Sequence, residues 1–166
     1  MNIFGIVGWK NSGKTTLVAG LVTELKSRGF AVSTVKHAHH AFDLDQPGRD
    51  SYKHREAGAQ EVLISSGKRW ALMHELQGEK EQTLNDLLAK MTPVDLVLIE
   101  GFKTAPHPKI ECHRSVSEMP LVSKTNDTIV AVAHDIDVDT GGLISLDLNN
   151  VKDIADFVVM QTGIDT

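Results

Sequence analysis

Residues 8–15 read GWKNSGKT: a glycine, four residues, then Gly-Lys-Thr. These eight residues fit the phosphate-loop pattern, and the flanks supply the context that the pattern needs. Ahead of them Ile3, Phe4, Ile6 and Val7 form a short apolar run rich in strand formers. Behind them Leu17, Val18, Leu21, Val22 and Leu25 recur at helical spacing, and Gly29 ends the helix. Strand, glycine-bounded loop and helix in that order commit the start of the chain to an α/β unit. Its backbone N–H groups converge at a helix N-terminus, where the helix dipole favours an anion. Gly8 and Gly13 let the backbone curl. Lys14 can reach the β and γ phosphates of a nucleotide, and the Thr15 hydroxyl can ligate Mg²⁺.

The rest of the chain fits one nucleotide-binding domain spanning 1–166. Strand-like runs at 31–35, 95–99, 109–112, 128–133 and 143–148 alternate with helical ones. The helical stretches are 79–91 and a final helix capped by Asn149 or Asn150 that runs to about Gln161. A short helix capped by Asp50 or Ser51 runs to Ala57. Residues 61–65 and 69–76, joined at Ser66-Gly67-Lys68, read as a hairpin. The expected fold is an α/β phosphate-loop NTPase, a mostly parallel twisted sheet flanked by helices with an antiparallel hairpin. Trp70 alternates with apolar residues and is expected in the core. Trp9 is expected to be exposed, where it can cover a ligand or a partner.

A net charge of -5 argues against broad nucleic-acid binding. No apolar run approaches membrane-spanning length, and the first strand starts too early to leave room for a signal peptide. Cys112 is the only cysteine, which fits a reducing, cytoplasmic setting.

Three further constellations belong with the loop. Glu100 ends the most apolar strand, where phosphate-loop proteins place a carboxylate that holds Mg²⁺ or its water shell. Residues 36–51, KHAHHAFDLDQPGRDS, emerge from the second strand at the same edge. There Asp43, Asp45 and Asp50 can join metal binding or orient a water, and Lys36 or Arg49 can neutralise γ-phosphate charge. His37, His39, His40 and His54 are ligand types suited to Zn²⁺ or Ni²⁺, but no established zinc spacing is present. Base choice is weakly signalled: Ser123–Asp127 loosely resembles an Asn-Lys-x-Asp element, and Ala133-His134-Asp135 is a second place for a base-reading carboxylate. No arginine finger or water-orienting glutamine stands out, so hydrolysis is expected to be slow.

With GWKNSGKTT, VKHAHHAFDLDQPGRDSYKHREAGA, RWALM, VDLVLIEGFK and AVAHD in place, nearly the whole chain resembles the molybdopterin-guanine dinucleotide biosynthesis adapter proteins, the MobB family. The resemblance implies a cytoplasmic, homodimeric GTP-binding adapter with weak Mg²⁺-dependent GTPase activity. It implies a role beside the molybdopterin guanylyltransferase that attaches GMP to molybdopterin, and a link to the molybdenum-insertion protein, without nucleic acid or membrane. It implies that Gly8, Asn11, Ser12, Gly13, Lys14, Thr15, Thr16 and Asp50 bind GTP. Thr15, Asp45 and Glu100 serve the metal, and Lys14, Asp45 and Glu100 serve hydrolysis. Some relatives in the wider class carry a lysine immediately after the first loop glycine; here that place is Trp9, and Lys10 comes one position late. Two alternatives remain: a small-molecule kinase or ligase of the same fold, and a metallochaperone GTPase that uses the histidine-rich stretch.

Overall fold

The structure, a computed structural model, describes residues 1–38 and 43–164. In chain order its elements are β1 (Asn2–Val7), α1 (Lys14–Ser27), β2 (Val32–Lys36), α2 (Asp50–Glu56), β3 (Glu61–Ser65), β4 (Trp70–His74), α3 (Leu84–Ala89), β5 (Leu96–Glu100), β6 (Lys109–His113), a 3-10 turn (Val122–Thr125), β7 (Ile129–His134), β8 (Ile144–Asp147) and α4 (Val151–Thr162). They gather into two compact units, Met1–His37 with Met91–Thr166, and Ala38–Lys90.

The first unit is a six-stranded sheet in the order β2-β5-β1-β6-β7-β8, every pair parallel. Side chains alternate across a strand, so each strand presents two faces. Phe4, Ile6, Leu96, Leu98, Ile110, Cys112, Ala131 and Ala133 point to one face. There they form a single buried cluster with Leu17, Leu21 and Leu25 of α1 and Ile154, Phe157 and Val158 of α4. Phe4 meets Phe157 edge to face, ring centres 6.3 Å apart. The opposite face of β6 carries Lys109, Glu111 and His113, all buried. Lys109 Nζ donates to the carbonyls of Ala105 and His107 and to Thr128 Oγ1. Glu111 accepts from the backbone N–H groups of Val122 and Ser123, each at 2.8 Å. The connections 101–108 and 114–128 are thereby tied down by buried charges with their hydrogen-bond capacity filled.

The second unit contains α2, the antiparallel β3–β4 pair and α3. Ser65 pairs with Trp70, and Ser66 N–H closes the turn onto the Arg69 carbonyl. α3 starts at Leu84, later than the expected 79–91, because Thr83 and Asp86 form a reciprocal capping box that sets the first turn there. Trp70 is not in a core: it is 67% exposed, beside exposed Leu63 and Leu72 on the same face of the pair. Its alternation with apolar residues marks an exposed apolar face of the β3–β4 pair.

Candidate functional site

β1 ends at Val7 under the centre of the sheet, so the loop that follows emerges at the carboxyl edge between β5 and β6. Gly8 has φ 144° and sits where a Cβ would lie 2.4 Å from the Cys112 carbonyl. Only glycine can make that approach. Gly13 at φ 91° precedes α1, whose N-terminus no side chain caps and whose first turn holds no acidic residue. The helix end is therefore free to take an anion. Residues 11–16 line a hollow of about 380 Å³.

Four side chains converge on this end. Lys14 Nζ donates to the Trp9 carbonyl at 2.6 Å and to Ser12 Oγ at 3.4 Å, which folds it along the loop. Burial is the main cause holding its ammonium below the ordinary lysine pKa; Lys103 and Lys36 push the same way and Glu100 opposes them. Thr15 Oγ1 donates to Glu100 Oε1 at 2.9 Å. Lys36, paired in register with Glu100 on the neighbouring strand, places Nζ 3.3 Å from Glu100 Oε1 and 3.4 Å from Thr15 Oγ1. A hydroxyl and a carboxylate in mutual contact at the first turn of the helix are oxygen donors of the kind that Mg²⁺ takes, so Thr15 and Glu100 fit the ion.

Arg114 completes the hollow, and it was not legible as a site residue in the sequence. It directly follows β6, and a Cβ on Gly13 would lie 2.6 Å from its Nε. Its only signal is that place at the carboxyl edge beside β1. Trp9 is half-buried rather than exposed: its indole N–H donates to the Pro120 carbonyl at 2.7 Å, and Lys103 Nζ lies 4.2 Å from the ring centre. It pins the connection after β6 instead of standing open to a ligand.

Asp43, Asp45 and Asp50 belong to the second unit. Asp45 Oδ1 accepts from Ser51 Oγ and from Gln46 N–H, and Asp45 Oδ2 is buried 4.0 Å from Arg55. Arg55 also holds Asp43 and Glu75, each at 2.7 Å. Asp50 is exposed and pairs with Lys53. His39 and His40 lie outside the described residues; His37 stacks on Phe102. Among the described residues no group of three or more His, Cys, Asp or Glu is placed to hold a metal ion.

The two base-reading candidates separate. Ser123–Asp127 enters β7 at its amino end, the edge of the parallel sheet opposite the loop, so it cannot read a base bound there. Asp135 follows β7 at the correct edge, but its oxygens are used: Oδ1 accepts from Ser115 N–H at 2.9 Å, and Oδ2 lies 3.4 Å from Arg114 Nη1.

Comparison with known proteins fits this geometry. The family model described as molybdopterin guanine dinucleotide synthesis protein B, MobB, matches residues 3–135. A molybdopterin-guanine dinucleotide biosynthesis adapter protein of Haemophilus influenzae is 39% identical over 158 residues, 94% of this chain and 86% of the relative. One from Escherichia coli K12 is 38% identical over 160 residues, 95% and 91% of the two chains. A crystal structure of molybdopterin-guanine biosynthesis protein B superposes with a TM-score of 0.74 at 29% identity, covering 95% of this chain and 98% of that one. A MobB homologue from Bacillus stearothermophilus superposes at 0.75 and 26% identity, covering 99% and 100%. With a phosphate loop, an acidic strand end beside it and these relatives along almost its full length, the chain belongs to the MobB family.

Proposed function

We propose that this protein is a GTP-binding adapter in molybdopterin guanine dinucleotide biosynthesis. In this reading it works in the cytoplasm beside the guanylyltransferase that joins GMP to molybdopterin and the protein that inserts molybdenum. Family membership supports the pathway. No helix among the described residues is long and apolar enough to cross a membrane. The observation that carries nucleotide binding is the convergence of Lys14, Thr15 and Glu100 on an uncapped helix N-terminus, with Thr15 and Glu100 2.9 Å apart.

In this mechanism the backbone of residues 8–16 cradles the phosphates, with Asn11 and Ser12 in the curl and Thr16 in the first helical turn. Lys14 leaves the Trp9 carbonyl for the β and γ oxygens. Thr15 and Glu100 would hold Mg²⁺, which would offset the charge of the phosphates when bound. Lys36 keeps Glu100 oriented and adds a cation at the terminal phosphate. With its one carboxylate, Glu100, given to the metal, this set keeps no second base for water, so hydrolysis is slow and the nucleotide state serves docking. The contacts of Asp45 support a structural task, ordering 43–51 by way of Ser51 and Arg55. In this reading the six-stranded unit is the nucleotide-binding part of the chain. An isolated two-stranded sheet is marginal in water. Exposed Leu63, Trp70 and Leu72 therefore support a homodimer in which a second copy covers that face.

Calorimetry tests the nucleotide reading. GTP is expected to bind in the presence of Mg²⁺, with ATP weaker and binding lost in a folded Lys14→Ala variant. Unchanged GTP affinity in that variant would sink the assignment. Pull-downs with GTP-loaded, GDP-loaded and Lys14→Ala protein test the adapter role.

A further inference from the structure

Among the described residues, the hollow at the helix end takes one lining residue from outside 11–16: Arg114. A second, smaller cavity of about 160 Å³ opens beside it, lined in part by Leu148, Asn149 and Val151. Gly13, Thr16 and Arg114 line both. Arg114 therefore stands at the junction of the phosphate hollow and a groove between the ends of β6 and β8. The charged groups of the site are split across β1: the cation Lys36 and the carboxylate Glu100 come from the β2–β5 side, where Thr15 meets them, and the cation Arg114 comes from the β6 side.

We infer that Arg114 grips the phosphate next to the nucleoside, and that Asp135 is its positioning residue. The inference rests on the GTP reading above. A guanidinium offers a planar fork that matches phosphate oxygens, which a lysine cannot present. Asp135 is placed to hold that fork without consuming it. Its Oδ1 anchors Ser115 N–H at 2.9 Å, while the contact of its Oδ2 to Arg114 Nη1 is long, 3.4 Å. The guanidinium is also only about one-third exposed, which favours a fixed direction over a mobile surface chain. The absence of a side chain at Gly13 makes room for it. Because Mg²⁺, Lys36 and the terminal phosphate belong to the other side of β1, Arg114 touches a phosphate that survives hydrolysis. It binds GTP and GDP alike and sets how long the product stays on the protein.

The experiment measures GTP and GDP affinity with Mg²⁺, and the hydrolysis rate at saturating GTP, for wild type, Arg114→Ala, Arg114→Lys and Asp135→Asn. Thermal melts confirm that each variant is folded. Arg114→Ala is expected to weaken both nucleotides about tenfold or more, the worth of one charge-assisted contact, with the saturated rate within about threefold of wild type. Lysine restores part of the affinity, and Asp135→Asn gives a smaller loss of the same pattern. A loss confined to GTP, or a saturated rate that falls tenfold, would make Arg114 a terminal-phosphate group and overturn the inference. Folded Arg114→Ala with wild-type affinity for both nucleotides overturns it alone. Wild type that binds neither nucleotide overturns the GTP reading as well.

Discussion

Glu100 and Glu111 stand on the two strands that flank β1, and both are buried. Their partners separate them. Glu111 gives each oxygen to a backbone N–H of the connection after β6 and is fully buried, out of reach of a ligand. Glu100 takes Thr15 and Lys36 on a single oxygen, at the rim where α1 begins. A buried charge whose capacity is filled by its own backbone is structural; one that meets mobile side chains at a helix end can exchange them for a ligand. The same contrast divides Lys109, with three internal acceptors, from Lys14, whose partners belong to the loop that it would leave.

The largest expected break in this comparison is Glu111→Ala. Two half-buried N–H groups lose their acceptor, each at the low end of about 1–3 kcal/mol, and the fully buried side chain leaves a void behind. We expect a loss of roughly 3 kcal/mol, a fall in melting temperature of about 10 °C for a chain of this size. GTP affinity measured well below the melt should stay near wild type. Loss of GTP binding without a change in melting would mean that Glu111, not Glu100, serves the ligand.

Glu100→Gln is the converse, with a smaller effect. The amide oxygen still accepts from Thr15, so the melting temperature should move by no more than a few degrees. The metal should be lost: Mg²⁺ is expected to strengthen GTP binding in wild type and to do so about tenfold less in the variant, a difference of roughly 1.4 kcal/mol. Calorimetric titration of GTP with and without Mg²⁺ reads it. Equal Mg²⁺ dependence in the two proteins would leave Glu100 a structural carboxylate like its neighbour.

The comparison also explains what the sequence could disclose. Glu100 was legible because it closes an apolar run in a chain that begins with a phosphate loop; strand direction alone puts it at the correct edge. Lys36 was legible for the same reason, at the end of β2. Arg114 sits at an equivalent place after β6, but β6 reads Lys-Ile-Glu-Cys-His, three of its five residues charged or polar. Its buried charges depend on backbone N–H groups and carbonyls that arrive from 101–108 and 114–128, and no local pattern encodes them. Trp9 and Trp70 failed in opposite directions for one reason. An indole follows its partners: the Pro120 carbonyl pins the first, and no part of the described chain covers the second. The parallel sheet, the hairpin and the terminal helix were readable from period and punctuation.

The last effect expected concerns stability alone and lies at His107, on the buried face with Lys109. Both ring nitrogens are buried, and neither has a hydrogen-bond partner among the described residues. Burial, then the charge of Lys109, pushes its pKa down to about 4 from an ordinary 6.5. Between those values the unfolded chain binds the proton and the folded one does not, so stability falls as pH drops from 6.5 to 4 and is flat in this group above 6.5. About 2 kcal/mol is expected across the window. Urea midpoints at pH 7 and pH 4.5 for wild type and His107→Leu isolate it, because the carboxylates that titrate in the same range are common to both. Wild type should lose about 2 kcal/mol more than the variant on acidification. An equal loss would mean that this histidine gains a proton-accepting partner in solution, so that the polar face of β6 can admit a new charge and is less completely filled than Glu111 and Lys109 make it.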